Sequence, residues 1–272
     1  MGLVVTFVSG PREAGKSALI RSMVDHLYKK PPHYLRLVPL GSDKKPPAVP
    51  GGKKTPQCGV ASARWLEYDS EHVFEILPNA LSAIHRKDRY GSVMIEADAD
   101  PALRHAYPYD HRIFVMPLPQ SIEDVFRDPV CAAMEFKRAL DDTAAFASEI
   151  FGLFTGDGQD DADCAEPRAA LTRTQMRGFL YSPLGDELAT RIQLQPPYHG
   201  LVESDVVVVN TRIKTTNHET AECLRRIERL MARVRGHSDR RGELHLCDPI
   251  DVDTRSCKQL QKALEPMCRS GK

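Results

Sequence analysis

The sequence lacks several features that would place it in a specialised class of protein. No apolar run approaches the roughly 20 residues needed to span a bilayer, and residues 1–8 lack the basic start and cleavage site of a signal peptide. Lysine plus arginine and aspartate plus glutamate number 37 each, so the formal net charge is zero. The chain has no overall basic field, and we expect neither a membrane nor nucleic acid as its partner.

The seven cysteines also form no recognisable framework. Their number is odd and no CxxC pair occurs, so neither a disulfide scaffold nor a tetrahedral zinc site is expected. Reduced thiols are typical of cytosolic proteins. We therefore predict a cytoplasmic protein with free cysteines.

Strand patterns alternate with amphipathic helix patterns along the chain. The strand patterns are apolar runs at 3–9, 34–40, 63–68, 92–95, 112–116, 205–210 and 243–247. Such alternation predicts parallel βαβ units, and hence a single α/β domain over 1–272 with a doubly wound, mostly parallel sheet. In that architecture ligands bind at the carboxyl ends of the strands.

Two regions interrupt the alternation. Residues 41–59 contain four prolines, four glycines and four lysines, which predicts a flexible basic loop. Residues 121–200 are predicted to be a mostly helical insertion, with an acidic exposed segment at 155–168. Within the helix patterns, Pro78 predicts a kink or a new first turn, and Thr216 with Glu219 forms a capping-box pattern.

Residues 10–17 read Gly-Pro-Arg-Glu-Ala-Gly-Lys-Ser, directly between the first strand pattern and the first helix pattern. This spacing and context are typical of a loop that binds the phosphates of a nucleoside triphosphate. Its glycines allow backbone amides to converge on phosphate oxygens, Lys16 would reach the β- and γ-phosphates, and the Ser17 hydroxyl would bind Mg²⁺. The predicted nucleotide-binding residues here are Gly10, Pro11, Arg12, Glu13, Ala14, Gly15, Lys16, Ser17 and Ala18.

A carboxylate at the end of a neighbouring strand would complete such a site. Glu96 ends the strand pattern at 92–95 and is the first candidate for holding Mg²⁺ together with Ser17, with Asp98 or Asp100 as the alternative. With Lys16, the carboxylates of Glu96 and Asp98 are the predicted catalytic groups, since either could polarise a nucleophile. The competing interpretation is that these acids cap a helix beginning near Pro101.

The strand pattern at 205–210 ends in Asn210, which is a candidate for contacting the base. Many GTP-binding proteins read guanine with Asn-Lys-x-Asp, but the aspartate position is Ile213 here. An asparagine amide can donate to and accept from a purine edge, so ATP is favoured over GTP. The alternative is that Asn210 is a turn residue that closes the strand.

Together these residues resemble the P-loop NTPases of the SIMIBI class, and within it the families of molybdopterin-guanine-dinucleotide biosynthesis adaptor protein B and dethiobiotin synthetase. The run Val93-Met94-Ile95-Glu96 is similar to their apolar strand ending in glutamate, with Ala97 where those families have glycine, and Asn210 looks like their asparagine near the base. The resemblance covers residues 1–120 and 200–250. The signature lysine of dimerising partition-type ATPases is absent, because Pro11 and Arg12 occupy that region.

A second resemblance is to nucleotide monophosphate kinases such as guanylate kinase. It rests on Glu96 and on the following strand pattern, which ends at Pro117. A kinase of this kind would need lid arginines, for which Arg173, Arg177 and Arg191 are the candidates. Exposed arginines on a helix face are the competing explanation.

Three functions are compatible with these motifs, because a phosphate-binding loop serves all of them. The first is Mg²⁺-dependent NTP hydrolysis coupled to a protein partner or a biosynthetic step. The second is a small-molecule or nucleotide kinase, or an ATP-dependent ligase, which predicts a deep pocket beside the γ-phosphate lined by the 121–200 insertion. The third is a non-catalytic nucleotide-binding module. A hydrolytic switch predicts an exposed apolar patch beside the γ-phosphate.

Overall fold

The computed structural model describes residues 2–41, 60–69, 71–100, 102–103, 106–139, 141–142, 183–211, 217–235, 243–247 and 257–268. The predicted acidic segment at 155–168 lies outside these residues, and so does nearly all of the predicted basic loop. Arg173, Arg177, Ile213 and Thr216 are outside them as well.

Seven described strands form one sheet. They are β1 (Val4–Ser9), β2 (His33–Pro39), β3 (Ser62–Tyr68), β4 (Ser92–Glu96), β5 (His111–Pro117), β6 (Val206–Asn210) and β7 (Glu243–Cys247). Their order across the sheet is β3-β2-β4-β1-β5-β6-β7, and every pairing between them is parallel. The predicted α/β class with a parallel sheet is therefore confirmed.

The described helices follow the strands as predicted, with two differences of detail. They are α1 (Lys16–His26), α2 (Val73–His85), α3 (129–139), α4 (Pro183–Ile192), α5 (His218–Arg235) and α6 (Lys258–Leu264), with 3₁₀ segments at Pro196–Glu203 and Glu265–Cys268.

The first difference is that Pro78 lies inside α2, so no new helix begins there. A proline removes one backbone hydrogen bond, whereas α2 keeps a full stripe of buried residues that includes Leu77, Leu81 and Ile84. The second difference concerns the start of α5, where the Asn217 side chain accepts a hydrogen bond from the Thr220 amide at 2.7 Å. Asn217 is therefore the capping residue, because asparagine satisfies a first-turn amide as well as threonine does.

Helices cover both faces of the sheet. Successive residues of a strand point to opposite faces, so Val8 of β1 packs with α1 and α6 while Phe7 packs with α2. The α1 side of the core includes Leu19, Ile20, Met23, Leu260 and Leu264, and the α2 side includes Leu77, Leu81 and Ile84. The carboxyl end of β1 thus lies near the middle of a sheet that is buried on both sides, which supports the loop that follows it.

The chain divides into two compact units. One comprises residues 1–122 and 196–272 and holds the sheet, and the other comprises residues 123–195. Within the second unit, Phe126 and Leu194 are buried and form an antiparallel bridge. In the part of the chain that is described, no helix is both long enough and apolar enough to cross a membrane.

The cysteines depart in part from the prediction of free thiols. Cys131, Cys223 and Cys268 are free, but Cys257 is bonded in a disulfide. Its partner lies outside the residues whose side chains are described. The prediction is wrong for Cys257 because the fold brings together cysteines whose spacing in the sequence shows no pairing.

Candidate functional site

The Gly10–Ser17 loop connects β1 directly to α1 at the carboxyl edge of the sheet. Gly10 has φ 147°, and a Cβ atom at this position would lie 1.9 Å from the carbonyl oxygen of Val115 in β5. Gly15 caps α1 in the left-handed region at φ 102°, which glycine adopts without steric cost. The two glycines of the motif are therefore required by the backbone path itself.

The N-terminus of α1 is left open to an anion. No side chain caps the helix, and its first turn holds no acidic residue. The first amides of a helix have no partners within the helix and carry partial positive charge. An anion that approaches Gly15, Lys16 and Ser17 would meet these amides directly.

Lys16 lies beneath the loop rather than in solvent, with only 3% of its surface exposed. Its Nζ donates to the carbonyl oxygens of Gly10 at 2.9 Å and Pro11 at 2.6 Å, and it pairs with Asp98 Oδ1 at 3.0 Å. Burial lowers the pKa of the Lys16 ammonium below its ordinary value, and the adjacent Asp98 carboxylate opposes that shift. These two carbonyl oxygens and the Asp98 carboxylate thus hold the ammonium at the loop, and an incoming anion of higher charge could replace them.

Glu96 is the most enclosed acid of the site, with 1% of its surface exposed. It accepts hydrogen bonds from Ser17 Oγ at 2.6 Å and from Tyr34 OH at 2.5 Å. Burial, and next the charge of Glu96, raise the pKa of the Tyr34 hydroxyl well above its ordinary value. The structure therefore places the predicted pair, Glu96 and Ser17, in direct contact at the carboxyl ends of β1 and β4.

Arg36 is a member of this cluster that the sequence analysis missed. Its Nη1 contacts Glu96 Oε1, and its Nη2 lies 3.5 Å from Asp98 Oδ1. The register of the sheet explains the contact, because Arg36 of β2 pairs with Glu96 of β4 and with Trp65 of β3. In the sequence, the only sign that Arg36 belongs to the site is that it is a charged residue inside an otherwise apolar strand pattern.

Asp98 and Asp100 are the two alternatives to Glu96 as the metal-binding carboxylate, and their surroundings differ. Asp98 faces Lys16 and Arg36. Asp100 instead accepts from Tyr68 OH at 2.7 Å and from the Ala102 amide at 2.8 Å. Asp100 therefore fits the competing interpretation, in which these acids cap a helix. Asp98 instead pairs with Lys16 of the loop.

A cavity of about 480 Å³ opens beside the loop. The described residues that line it are Arg12, Glu13, Ala14, Gly15, Lys16, Ser17, Ala18, Arg36, Leu37, Val38, Pro39, Trp65, Glu96 and Asp98. Its volume lies in the range of roughly 300–1,000 Å³ that is usual for small-molecule sites. The described lining comes from the loop, the carboxyl end of β2, Trp65 and the two carboxylates, and it includes none of the residues of the predicted 121–200 insertion that the structure describes.

Asn210 lies next to the loop rather than in the lining of this cavity. Its Nδ2 donates to the Ala14 carbonyl oxygen at 3.0 Å, which ties the end of β6 to the loop. That Asn210 reads a purine edge stays a prediction, as does a lid role for Arg191, which lies in α4 of the second unit.

Replacing Tyr34 by phenylalanine should lower the free energy of unfolding by about 1.5–3 kcal/mol, because Glu96 would lose a hydrogen-bond donor while it stays buried. The pKa of Tyr34 is raised in the folded state, so the hydroxyl contributes its full stability below the unfolded tyrosine pKa of about 10 and loses it as the pH rises further. The difference between wild type and variant should therefore shrink above pH ~10.

Urea unfolding at several pH values measures this difference. Tyr90→Phe is the matched control, because Tyr90 is 49% exposed and a surface change of this kind alters stability by less than about 0.5 kcal/mol. Equal stability of Tyr34→Phe and wild type at neutral pH would contradict the described contact.

Comparisons with known proteins do not assign this chain to a family. No family model matches it, and no curated protein matches it significantly. The resemblance to SIMIBI-class P-loop NTPases stays a prediction from the motif residues, and function must be inferred from the geometry of the site.

Proposed function

We propose that this protein is a P-loop NTPase that binds a Mg²⁺–nucleoside triphosphate, with ATP favoured, at the Gly10–Ser17 loop. The observation that carries the proposal is the joint placement of the open N-terminus of α1 and the buried Lys16 ammonium at the carboxyl edge of a parallel sheet. Backbone amides, helix dipole and ammonium then act on the same phosphates.

The residues of the site fit a magnesium ion. Ser17 Oγ and Glu96 Oε1 are 2.6 Å apart, and both are hard oxygen ligands. Protein sites for Mg²⁺ commonly supply one or two such oxygens, and the remaining positions belong to phosphate and water. The ion would neutralise charge that develops on the phosphates during transfer.

The other residues act on the phosphates and on the attacking group. Lys16 would exchange its carbonyl partners for the β- and γ-phosphate oxygens, and this would bring a full positive charge to the position of transfer. Asp98 lies on the same side and is 35% exposed, so it can reach a nucleophile in the cavity and orient it or accept its proton. The arrangement supports hydrolysis or transfer to a bound acceptor.

A second candidate function, a small-molecule kinase or ATP-dependent ligase, is supported by the apolar part of the cavity lining. Beyond the loop it is lined by Leu37, Val38, Pro39 and the half-buried Trp65, which suit the apolar part of an acceptor. Assays of ATP and GTP consumption with and without a panel of small acceptors separate the two functions. Stimulation by one acceptor class indicates transfer, and turnover without any acceptor indicates hydrolysis.

Replacing Glu96 by glutamine should leave the affinity for triphosphate, measured without Mg²⁺, within a few-fold of wild type and lower turnover by roughly 100-fold. The phosphates are bound mainly by the loop, whereas the lost charge is needed to hold the ion, and loss of one such electrostatic group costs about 10²–10³ in rate. Fluorescence of Trp65, the single tryptophan of the chain, reports binding from within the cavity.

The matched control is Glu203→Gln, which removes the carboxylate charge that pairs with Arg112 at 2.7 Å and leaves the loop unchanged. Normal turnover in Glu96→Gln would show that the metal-side assignment is wrong.

A further inference from the structure

One carboxylate oxygen of the site has two partners in the structure. Glu96 Oε1 accepts the hydrogen bond of Ser17 Oγ and also contacts the guanidinium of Arg36. If Ser17 and Glu96 hold Mg²⁺, as the proposed function requires, this same oxygen must face the ion. Arginine stays protonated in proteins, and two cations at one oxygen repel each other strongly. Glu96 can therefore serve either Arg36 or the metal.

Asp98 offers the guanidinium of Arg36 a second carboxylate partner. Asp98 Oδ1 lies 3.0 Å from Lys16 Nζ and 3.5 Å from Arg36 Nη2, so the two cations share one carboxylate oxygen. Lys16 holds the shorter contact. When Lys16 turns to an incoming phosphate, Asp98 loses its nearer cation, and Arg36 can take that place by a small movement.

The surroundings of Arg36 allow such a movement. Its side chain is 15% exposed and lines the cavity beside the loop, so there is space next to the guanidinium. Its Nε is buried and has no hydrogen-bond partner. The contact with Glu96 therefore leaves part of the guanidinium without a hydrogen bond. A buried unpaired donor lowers the stability of the arrangement that contains it.

We propose that Lys16, Asp98 and Arg36 form an ion-pair relay that keeps Mg²⁺ out of the site until a triphosphate binds. The relay rests on the proposed function and adds the order in which triphosphate and Mg²⁺ bind. Phosphate draws Lys16 from Asp98, Asp98 then draws Arg36 from Glu96, and Glu96 becomes free to hold the ion with Ser17.

The relay predicts positive coupling between nucleotide and metal. Without nucleotide, the four charges of Lys16, Arg36, Glu96 and Asp98 neutralise one another, so Glu96 and Asp98 are both paired with cations and neither is free to bind added Mg²⁺. With nucleotide, Glu96 is released. By linkage, Mg²⁺ should strengthen triphosphate affinity by the same factor by which triphosphate strengthens Mg²⁺ affinity, and such couplings are typically about 5- to 150-fold.

The test removes the positive charge of Arg36 and measures Mg²⁺ binding without nucleotide. MgCl₂ is titrated into Arg36→Gln and wild type, with calorimetry, Trp65 fluorescence and thermal unfolding as readouts. Arg36→Gln should bind Mg²⁺ saturably, and its Tm should rise by about 2–4 °C at ten times the Kd. Wild type and Arg36→Lys, which both keep a cation beside Glu96, should show neither change.

Two further variants support the interpretation. Arg112→Gln removes an arginine from another partly buried Arg–Glu pair and should behave as wild type. Asp98→Asn removes the second position of Arg36, and it should lower the Mg²⁺-dependent gain in ATP affinity at least about fivefold. If Arg36→Gln does not fold, Arg36→Met supplies an uncharged side chain of similar length for the same titration.

The outcomes separate the relay from the proposed function. If the uncharged variant binds Mg²⁺ no better than wild type while wild type still binds Mg²⁺–ATP, the relay is wrong and the proposed function stands. If wild type binds Mg²⁺ without nucleotide as tightly as Arg36→Gln does, the relay is also wrong. If no form of the protein binds ATP, the proposed function fails and the relay fails with it.

Discussion

Replacing Lys16 by alanine should weaken the binding of ATP by roughly 100-fold or more. Hydrogen bonds to charged groups contribute about 1.5–3 kcal/mol each, and Lys16 is expected to make such contacts to both the β- and γ-phosphates. Losing about 3 kcal/mol raises a Kd slightly more than 100-fold. Titration of ATP with Trp65 fluorescence, together with the rate of phosphate release, measures the loss.

The fold should survive this change. Asp98 loses its ion-pair partner but is 35% exposed and still has Arg36 nearby. Lys30→Ala is the matched control, because Lys30 also pairs with a carboxylate, Asp88 at 2.7 Å, but lies away from the loop. It should bind ATP as wild type does. If Lys16→Ala binds with wild-type affinity, the nucleotide proposal is wrong.

Replacing Gly10 by alanine should both abolish ATP binding and lower the free energy of unfolding by about 2–6 kcal/mol. The added methyl group would lie 1.9 Å from the Val115 carbonyl oxygen, which belongs to a central strand and cannot move aside easily. Overpacking of a tight site costs roughly 1–3 kcal/mol, and a disfavoured backbone angle costs a similar amount. The loop must shift to relieve the clash, and its amides would then leave their positions.

Gly41→Ala separates the effect of the clash from that of the backbone angle. Gly41 also has a positive φ, 78°, but no atom lies within 4 Å of the position its Cβ would take. Its replacement should cost only about 1–2 kcal/mol and leave ATP binding unchanged. Urea unfolding of both variants gives the comparison, and equal losses would show that Val115 does not constrain the loop.

Much of the fold was predictable from the sequence because the signals were local. The apolar run before Gly10, the two glycines and the helix pattern after Ser17 are all close together in the chain, and they place the loop between β1 and α1. The strand boundaries also agree closely. For β1, β4, β5 and β6 the reason is that a strand buried on both faces is apolar at nearly every position. Glu96 was predicted as a site residue for the same local reason, since it ends such a strand.

What the sequence determined by itself is the order of strands and helices and the motif that joins the first two, because both depend on residues that are neighbours along the chain. The register of β3, β2, β4 and β1 decided which side chains meet: it brought Arg36 and Tyr34 onto Glu96, and it separated Asp98 from Asp100. Arg36 and Glu96 are sixty positions apart, and no periodicity in the chain encodes their contact. Only the tertiary structure pairs them, because neighbouring parallel strands align residues by hydrogen-bond register rather than by sequence.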